Sequence, residues 1–241
     1  MPTLELQPFI LKFIADKTYF STKAIKASVA RRGLKHNATT INQYLHNLKT
    51  QGKIFDAGRG WYSTISQPYT QYTAPLKELV SQISTKFPFL EFACWSTEQF
   101  QGYAHHMMVR FVRFVYTDTD SMSSVAEFLK NNNYDAHLNP RKGEVEKYFT
   151  PSQTTVVVRP TVSEEPLDGH YATVEKMLLD LFVEKDKLFL MDEAEYNRVF
   201  QNLALSYRIN LARLLRYADR RKVKGAFVKS VLAESSDAIL M

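Results

Sequence analysis

Residues Asn37–Tyr62 read NATTINQYLHNLKTQGKIFDAGRGWY, and this stretch decides the expected fold of the N-terminal part of the chain. Its first half repeats apolar side chains at the i, i+3, i+4 and i+7 spacing of a helix that packs on one side. These side chains are Ile41, Tyr44, Leu45 and Leu48. Gly52 is expected to end the helix, and short strands at 53–55 and 61–63 are expected to flank a turn at Gly58-Arg59-Gly60.

Two further helices are predicted before this stretch, over residues 4–15 and 21–33. Ser21 is a suitable N-cap for the second helix, and Gly33 is a natural C-terminal stop. Three helices followed by a hairpin is the order of a winged helix-turn-helix, which places its third helix in the major groove of DNA. The sequence therefore predicts a winged helix over residues 1–66.

The outer face of the predicted third helix carries hydroxyl, amide and imidazole groups and no acid. Amide side chains can make paired hydrogen bonds to adenine. The expected base-contacting residues are Thr39, Asn42, Gln43, His46 and Asn47. Arg59 is expected to reach a minor groove or the DNA backbone from the tip of the hairpin. The expected phosphate-contacting residues are Lys23, Lys26, Arg31, Arg32, Lys35 and Lys49.

The positive charge is concentrated in the same part of the chain. The formal net charge is +6 over 241 residues. Residues 1–66 hold ten Lys and Arg against three Asp and Glu, whereas the rest holds 21 against 22. All of the excess therefore lies in the predicted winged helix, and a polyanion is the expected partner.

A second domain is predicted after a polar, charge-free linker at residues 67–71, and it extends over residues 72–241. Predicted helices cover 76–83 and 121–129, predicted strands cover 87–95, 109–116, 135–138 and 154–159, and almost everything after residue 173 is predicted to be helical. The predicted fold class is α+β, with an N-terminal winged helix followed by a larger α/β domain that ends in a helical bundle.

Basic residues cluster again in and beside the late helix 210–221. They are Arg213, Arg216, Arg220, Arg221 and Lys222. This set is a solvated outer face, a second surface for a polyanion, or a docking face for an acidic protein partner.

Composition excludes several other classes of protein. Cys94 is the single cysteine, so there is no disulfide framework or multi-cysteine zinc site, and its neighbours indicate a buried small hydrophobe. No basic leader precedes a long apolar run, and no run approaches the roughly 20 apolar residues of a membrane helix. We therefore expect a cytoplasmic protein without membrane contact, bound metal or cofactor.

The one enzymatic pattern is Asp118-Thr119-Asp120 after a predicted strand, since two carboxylates at a strand end could hold a divalent metal for nucleotidyl transfer. Nucleotidyltransferases of that kind carry a Gly-Ser turn upstream, and none precedes this pair. The favoured interpretation is a turn that caps the helix after Ser121. His105-His106 is unsuited to metal binding because the side chains of adjacent residues diverge. No catalytic constellation is predicted.

Residues Thr173–Phe182 read TVEKMLLDLF. They match the pattern E-[RK]-x-L-L-D-L at Glu175, Lys176, Leu178, Leu179, Asp180 and Leu181. With the predicted winged helix, linker, α/β region and terminal helices, this motif resembles the AbiEi-type antitoxins of bacterial abortive-infection systems. The resemblance implies a type IV antitoxin that binds repeats in its own promoter and represses its operon. It also implies a separately encoded nucleotidyltransferase toxin that the antitoxin need not contact.

The leading hypothesis is a sequence-specific, non-enzymatic transcriptional regulator that binds double-stranded DNA, on which repeated half-sites allow an oligomer to form. One alternative is a nucleotidyltransferase-like enzyme that acts on nucleic acid with Asp118 and Asp120 as metal ligands. A second alternative makes the winged helix a protein-docking module.

Overall fold

The computed structural model describes residues 3–34, 37–105, 110–232 and 239–240. Contacts between Cα atoms divide the chain into two units. The terminal unit comprises Met1–Tyr69, Gln201–Arg216 and Lys224–Met241, and the central unit comprises Thr70–Phe200 and Tyr217–Val223. The boundary after Tyr69 lies inside the predicted linker. The sequence-based division assigned everything after residue 71 to one domain, whereas the structure groups two late segments with the N-terminal residues.

Helices and strands are both abundant, which confirms a mixed α and β protein. The helices are α1 (Thr3–Ala15), α2 (Thr22–Arg31), α3 (Ala38–Thr50), α4 (Lys77–Lys86), α5 (Met122–Asn131), α6 (Lys142–Tyr148), α7 (Val174–Glu184), α8 (Glu193–Ser206), α9 (Leu211–Arg220) and α10 (Lys224–Phe227). The strands are β1 (Tyr19–Ser21), β2 (Phe55–Asp56), β3 (Trp61–Ser63), β4 (Phe92–Ser96), β5 (Arg113–Thr117), β6 (Asp135–Leu138), β7 (Thr155–Pro160), β8 (Leu167–Asp168), β9 (Tyr171–Ala172) and β10 (Ile239–Leu240).

The helices of the terminal unit begin where the sequence provides caps. The Ser21 side chain accepts a hydrogen bond from the Ala24 N–H at 2.9 Å and starts α2. The Asn37 side chain accepts one from the Thr40 N–H at 2.7 Å and starts α3. Helix α3 ends at Thr50, and Gly52 takes the left-handed backbone conformation (φ 67°) that the predicted break requires.

The sheet of the terminal unit has the order β10-β1-β3-β2. Strand β3 pairs in antiparallel register with both β1 and β2, and β1 pairs in parallel with β10. The prediction placed the first hairpin strand at 53–55, two residues too early, because Lys53 still closes the end of α3 by donating to the Leu48 carbonyl. Strand β1 was not predicted, since three residues carry no detectable periodicity.

An apolar cluster lies beneath these elements. Ile10 from α1, Ile25 from α2 and Leu45 from α3 are fully buried in it. Phe20 from β1 also lies in this cluster, with its ring stacked on that of Tyr62 from β3 at 5.9 Å between centroids. The apolar stripe of α3 is therefore the buried face that the sequence predicted, and its opposite face is left to solvent.

The central unit is built on a sheet of order β6-β7-β5-β4-β9-β8. Strands β5, β6 and β7 are mutually parallel where they pair, and β4 runs antiparallel to β5. Helices α4 and α5 cover one face, where Ile83 and Leu129 are fully buried against Cys94. The expectation that Cys94 is a buried hydrophobe is confirmed.

Several predicted boundaries in the central unit are corrected by the structure. The strand predicted over 87–95 begins only at Phe92, because Phe87–Leu90 forms a turn closed by the Leu90 N–H and the Phe87 carbonyl. The strand predicted over 109–116 begins at Arg113, and Val109 lies outside the described residues. The chain after residue 173 is largely helical as predicted, but its helices are divided between the two units rather than gathered in one C-terminal bundle.

Within the described ranges, every helix is too short or too polar to cross a membrane.

Candidate nucleic-acid interface

The predicted base-contacting residues lie together on the outer face of α3. Thr39, Asn42, Gln43, His46 and Asn47 are all exposed. The Gln43 amide nitrogen donates to the Asn47 amide oxygen at 3.3 Å, one turn along the helix. This pair holds the two amides side by side on the helix surface. Amide groups offer both donors and acceptors, which is the chemistry that reads base edges in a major groove.

The predicted phosphate-contacting residues are exposed to different degrees. Lys23, Arg31 and Arg32 are exposed, and Lys26 is half-buried. Lys35 lies outside the described residues. Lys49 is exposed but lies 3.2 Å from an Asp56 carboxylate oxygen, so its charge is partly compensated.

Asp56 also organises the turn of the β2–β3 hairpin. Its Oδ1 atom accepts a hydrogen bond from the Gly58 N–H at 2.7 Å. This backbone hydrogen bond, together with Lys49, lowers the pKa of the Asp56 carboxyl group against the opposing effect of partial burial. The turn is closed by a hydrogen bond of 2.8 Å from the Trp61 N–H to the Gly58 carbonyl, and Arg59 is exposed at its tip.

A segment from the far end of the chain completes this unit. The buried Tyr19 hydroxyl donates to the Tyr207 carbonyl at 2.7 Å and accepts from the Ile209 N–H at 2.9 Å. The Arg208 guanidinium donates to the Ser66 carbonyl at 2.9 Å and lies 5.1 Å from the centroid of the Phe55 ring. Residues 207–209 are therefore bonded to β1 and to the chain that follows β3.

The first turn of α9 lies against the hairpin. The Ala212 N–H points to the Ala57 carbonyl at 3.4 Å, and the side chains of Asn210 and Ala212 lie directly against Gly58. The Asn210 side chain also caps α9 by accepting from the Arg213 N–H at 3.0 Å. Arg213 and Arg216 are exposed, and their spacing of three residues places them on one face of the helix. The structure thus adds two arginines to the unit that holds α3 and Arg59.

The other three members of the predicted second basic surface belong to the central unit. Arg220 pairs with Glu164 at 2.5 Å and donates to the Ser163 hydroxyl at 3.0 Å. Arg221 lies 3.6 Å from an Asp180 oxygen, and although desolvation acts to lower its pKa, Asp180 raises it overall. Lys222 is exposed. Two of these three cations are therefore compensated by acids of their own unit.

The Asp118-Thr119-Asp120 pair of carboxylates takes the geometry of a turn. Asp118 accepts a hydrogen bond from the Ser121 N–H at 2.9 Å just before α5, and its hydrogen bonds with Ser121 lower the pKa of its carboxyl group. In the part of the chain that the structure describes, no three His, Cys, Asp or Glu residues are grouped as a metal site would need. His105 has its backbone N–H bonded to Glu195, and His106 lies outside the described residues.

A buried group of charged side chains in the central unit was missed by the sequence reasoning. Lys176 is fully buried, and its ammonium group lies 2.8 Å from an Asp180 oxygen, 3.1 Å from a Glu165 oxygen and 2.9 Å from the Tyr217 hydroxyl. It also lies 3.6 Å from the centroid of the Tyr116 ring. The available signal was the motif at Glu175–Asp180, whose Lys and Asp stand four residues apart and so share a helix face.

This group has the features of a structural ion cluster rather than of a reaction centre. Its central ammonium is shielded from solvent, and it is held by two carboxylates, a hydroxyl and an aromatic face. Removing one charged residue from such a buried set leaves its partner with an uncompensated charge. We conclude that the motif residues hold α7 against the rest of the central unit.

Comparison with protein-family models gives a match over residues 40–236, most of the chain. The chain belongs to the DUF6577 family. DUF6577 is described as a family of unknown function. The DUF6577 match includes most of α3, the β2–β3 hairpin, the buried Lys176 and all of α9. A search of curated proteins found no similar sequence.

Proposed function

We propose that the terminal unit is a winged helix-turn-helix that binds double-stranded DNA, with α3 as its recognition helix and the β2–β3 hairpin as its wing. The observation that carries the proposal is the outer face of α3, which is exposed and presents amides and hydroxyls without an acid. The element order α1-β1-α2-α3-β2-β3 and the strand order β1-β3-β2 supply the matching scaffold.

In this proposal the base contacts come from the middle of α3. Asn42, Gln43 and Asn47 lie on consecutive turns of the exposed face, within reach of neighbouring base pairs in a major groove. Thr39 lies at the first turn and His46 beside Asn47, where they extend the same face.

Phosphate contacts are assigned to the exposed cations around this face. Lys23 and Arg31 lie on α2, Arg32 lies at its C-terminal end, and Arg59 lies at the hairpin tip; all four are exposed. Arg213 and Arg216 extend the basic surface beyond the hairpin, because the first turn of α9 lies against Gly58. A surface of this kind binds DNA with an affinity that falls steeply with salt, through the release of counterions.

The biological role that we propose is transcriptional regulation of the antitoxin kind, in which the protein represses its own operon by binding promoter repeats beside a separately encoded nucleotidyltransferase toxin. The support is the resemblance of TVEKMLLDLF and of the order of elements to AbiEi-type antitoxins. The burial of Lys176 and Asp180 gives that motif a structural role, which is compatible with a protein that acts by binding.

The test is fluorescence anisotropy of the full-length protein with labelled DNA from upstream of its own gene. We expect saturable binding that a variant with Asn42→Ala, Gln43→Ala and Arg59→Ala weakens by about 1–3 kcal/mol for each base contact removed. The matched control carries Asn131→Ala, Gln153→Ala and Lys130→Ala, three exposed residues of the central unit, and should bind as the parent protein does. Absence of binding by the parent, or equal binding by both triple variants, would refute the proposal.

A further inference from the structure

A cavity of about 560 Å³ opens at one edge of the central sheet. It lies where β5 and β7 end and β4 begins, and the carboxyl ends of parallel strands are the usual position for a binding site in such sheets. The cavity is lined by Phe89–Phe92, Asp118, Ser121, residues 161–165 and Leu167.

The mouth of this cavity is apolar and open. Phe89 is 98% exposed and Leu167 is 40% exposed, and Leu90 and Val162 also line the cavity. Covering an exposed phenylalanine removes apolar surface from water and so favours association. A fully exposed aromatic ring beside a cavity is therefore a strong candidate for an anchor in an interface.

The charged groups in the lining are all acidic. They are Glu91, Asp118, Glu164 and Glu165, and no Lys, Arg or His is found among the described residues of the lining. Glu165 is paired with Lys176 at 3.1 Å, and Glu164 with Arg220 at 2.5 Å. Glu91 and Asp118 are both exposed and face no cation in the lining, so they give the cavity a net negative charge.

We propose that this cavity docks a basic, amphipathic segment of a partner protein. Apolar side chains of that segment would pack on Phe89 and Leu167, and its Lys or Arg residues would pair with Glu91 and Asp118. The sign of the charge excludes DNA as the occupant, so this surface is distinct in chemistry from the basic face of the terminal unit.

The experiment measures binding of a labelled helical peptide, roughly three turns long, to the full-length protein at low salt; the peptide has leucine at the i, i+3, i+4 and i+7 positions and lysine elsewhere. We expect saturable binding at one site per chain, which weakens as salt is raised. Phe89→Ser, and the pair Glu91→Gln with Asp118→Asn, should each weaken binding by about tenfold or more. A peptide with glutamate in place of lysine should not bind.

Matched control variants separate the cavity from general surface effects. Phe189→Ser removes another exposed aromatic ring of the central unit, and the pair Glu127→Gln with Glu146→Gln removes two exposed carboxylates. Both controls should bind the basic peptide as the parent does. The proposal is overturned if the peptide fails to bind saturably, or if the cavity and control variants bind alike. It is also overturned if sedimentation shows self-association of the protein that Phe89→Ser abolishes, because the occupant is then a second copy of the chain.

Discussion

The side-chain oxygen of Asn210 lies so close to Gly58 that it would overlap a β-carbon at that position. Two residues separated by most of the chain therefore share one close contact, which joins the hairpin tip to the first turn of α9. This contact explains why a glycine is needed at this position, and it has a direct consequence for stability.

We predict that Gly58→Ala destabilises the terminal unit more than Gly60→Ala does. Both glycines have positive φ, at 100° and 78°, so alanine is strained at either by roughly 1–2 kcal/mol. At Gly60 the added carbon meets open space, whereas at Gly58 it also meets the Ala212 β-carbon at 2.6 Å. Because that carbon sits on a helix, overpacking should add about 1–3 kcal/mol at Gly58. Urea unfolding followed by tryptophan fluorescence measures the difference, and equal destabilisation by the two variants would contradict the contact.

Two buried tyrosines provide a second matched pair. Removing the Tyr19 hydroxyl leaves the Tyr207 carbonyl and the Ile209 N–H without this partner, and we expect Tyr19→Phe to cost about 1–3 kcal/mol. The buried Tyr116 hydroxyl meets no hydrogen-bond partner among the described residues, so Tyr116→Phe should be close to neutral or stabilising. Chemical denaturation of the two variants tests the contrast, and a neutral Tyr19→Phe would show that residues 207–209 are not held as described.

The buried ion cluster should respond strongly to the removal of its cation. Lys176→Met leaves Asp180 and Glu165 without their ammonium partner, and we expect a decrease of about 3–5 kcal/mol in the free energy of unfolding. Adding Asp180→Asn removes one of the two carboxylate charges that faced the ammonium group, so the double variant should be more stable than the sum of the single effects predicts. Additive effects in this double-mutant cycle would exclude coupling between the two side chains.

The salt dependence of DNA binding tests the two arginines of α9, given the proposed function. Replacing Arg213 and Arg216 with Gln should reduce the slope of log affinity against log salt by about 0.9 for each phosphate that an arginine no longer neutralises. The control pair is Lys130→Gln with Lys147→Gln, two exposed cations of the central unit, which should leave the slope unchanged. If the arginine substitutions leave the slope unchanged and the protein still binds DNA, α9 does not belong to the interface. The contacts assigned to α3 are not affected by that result.

The thiol of Cys94 reports on the integrity of the central sheet. Burial raises the pKa of this thiol well above its ordinary value, so very little thiolate forms near pH 8. We expect no reaction with a disulfide reagent in the native protein and complete reaction in denaturant. Rapid labelling under native conditions would show that the face of β4 beneath α4 and α5 is open.

The periodic elements of the chain were predictable because their burial is local in sequence. The stripe of α3, the caps at Ser21 and Asn37 and the break at Gly52 all depend on residues within one or two turns of each other. The short strands β1, β8, β9 and β10 were missed, because each has only two or three residues and little periodicity of its own, and β1 pairs with strands far along the chain.

The residues of the candidate interface likewise fall into those that sequence spacing identified and those that only the structure could assign. Thr39, Asn42, Gln43, His46 and Asn47 were identified from helical spacing alone, since exposure on a helix follows from the position of its apolar stripe. Arg213 and Arg220 look alike in sequence, yet Arg220 is paired with Glu164 in the central unit, whereas Arg213 belongs to the terminal unit. Spacing cannot distinguish them, because the acid that pairs with Arg220 is 56 residues away in the chain.

The sequence alone was thus sufficient to predict the helices of the N-terminal region, the concentration of its positive charge and the face of α3 that is exposed to solvent. Only the tertiary structure decided the hydrogen bonds between Tyr19 and residues 207–209, the contact of Asn210 with Gly58 and the burial of Lys176. The physical reason is that local periodicity sets which side of a helix is apolar, whereas the compensation of a charge or a polar group depends on which distant residue the fold brings within about 3 Å of it.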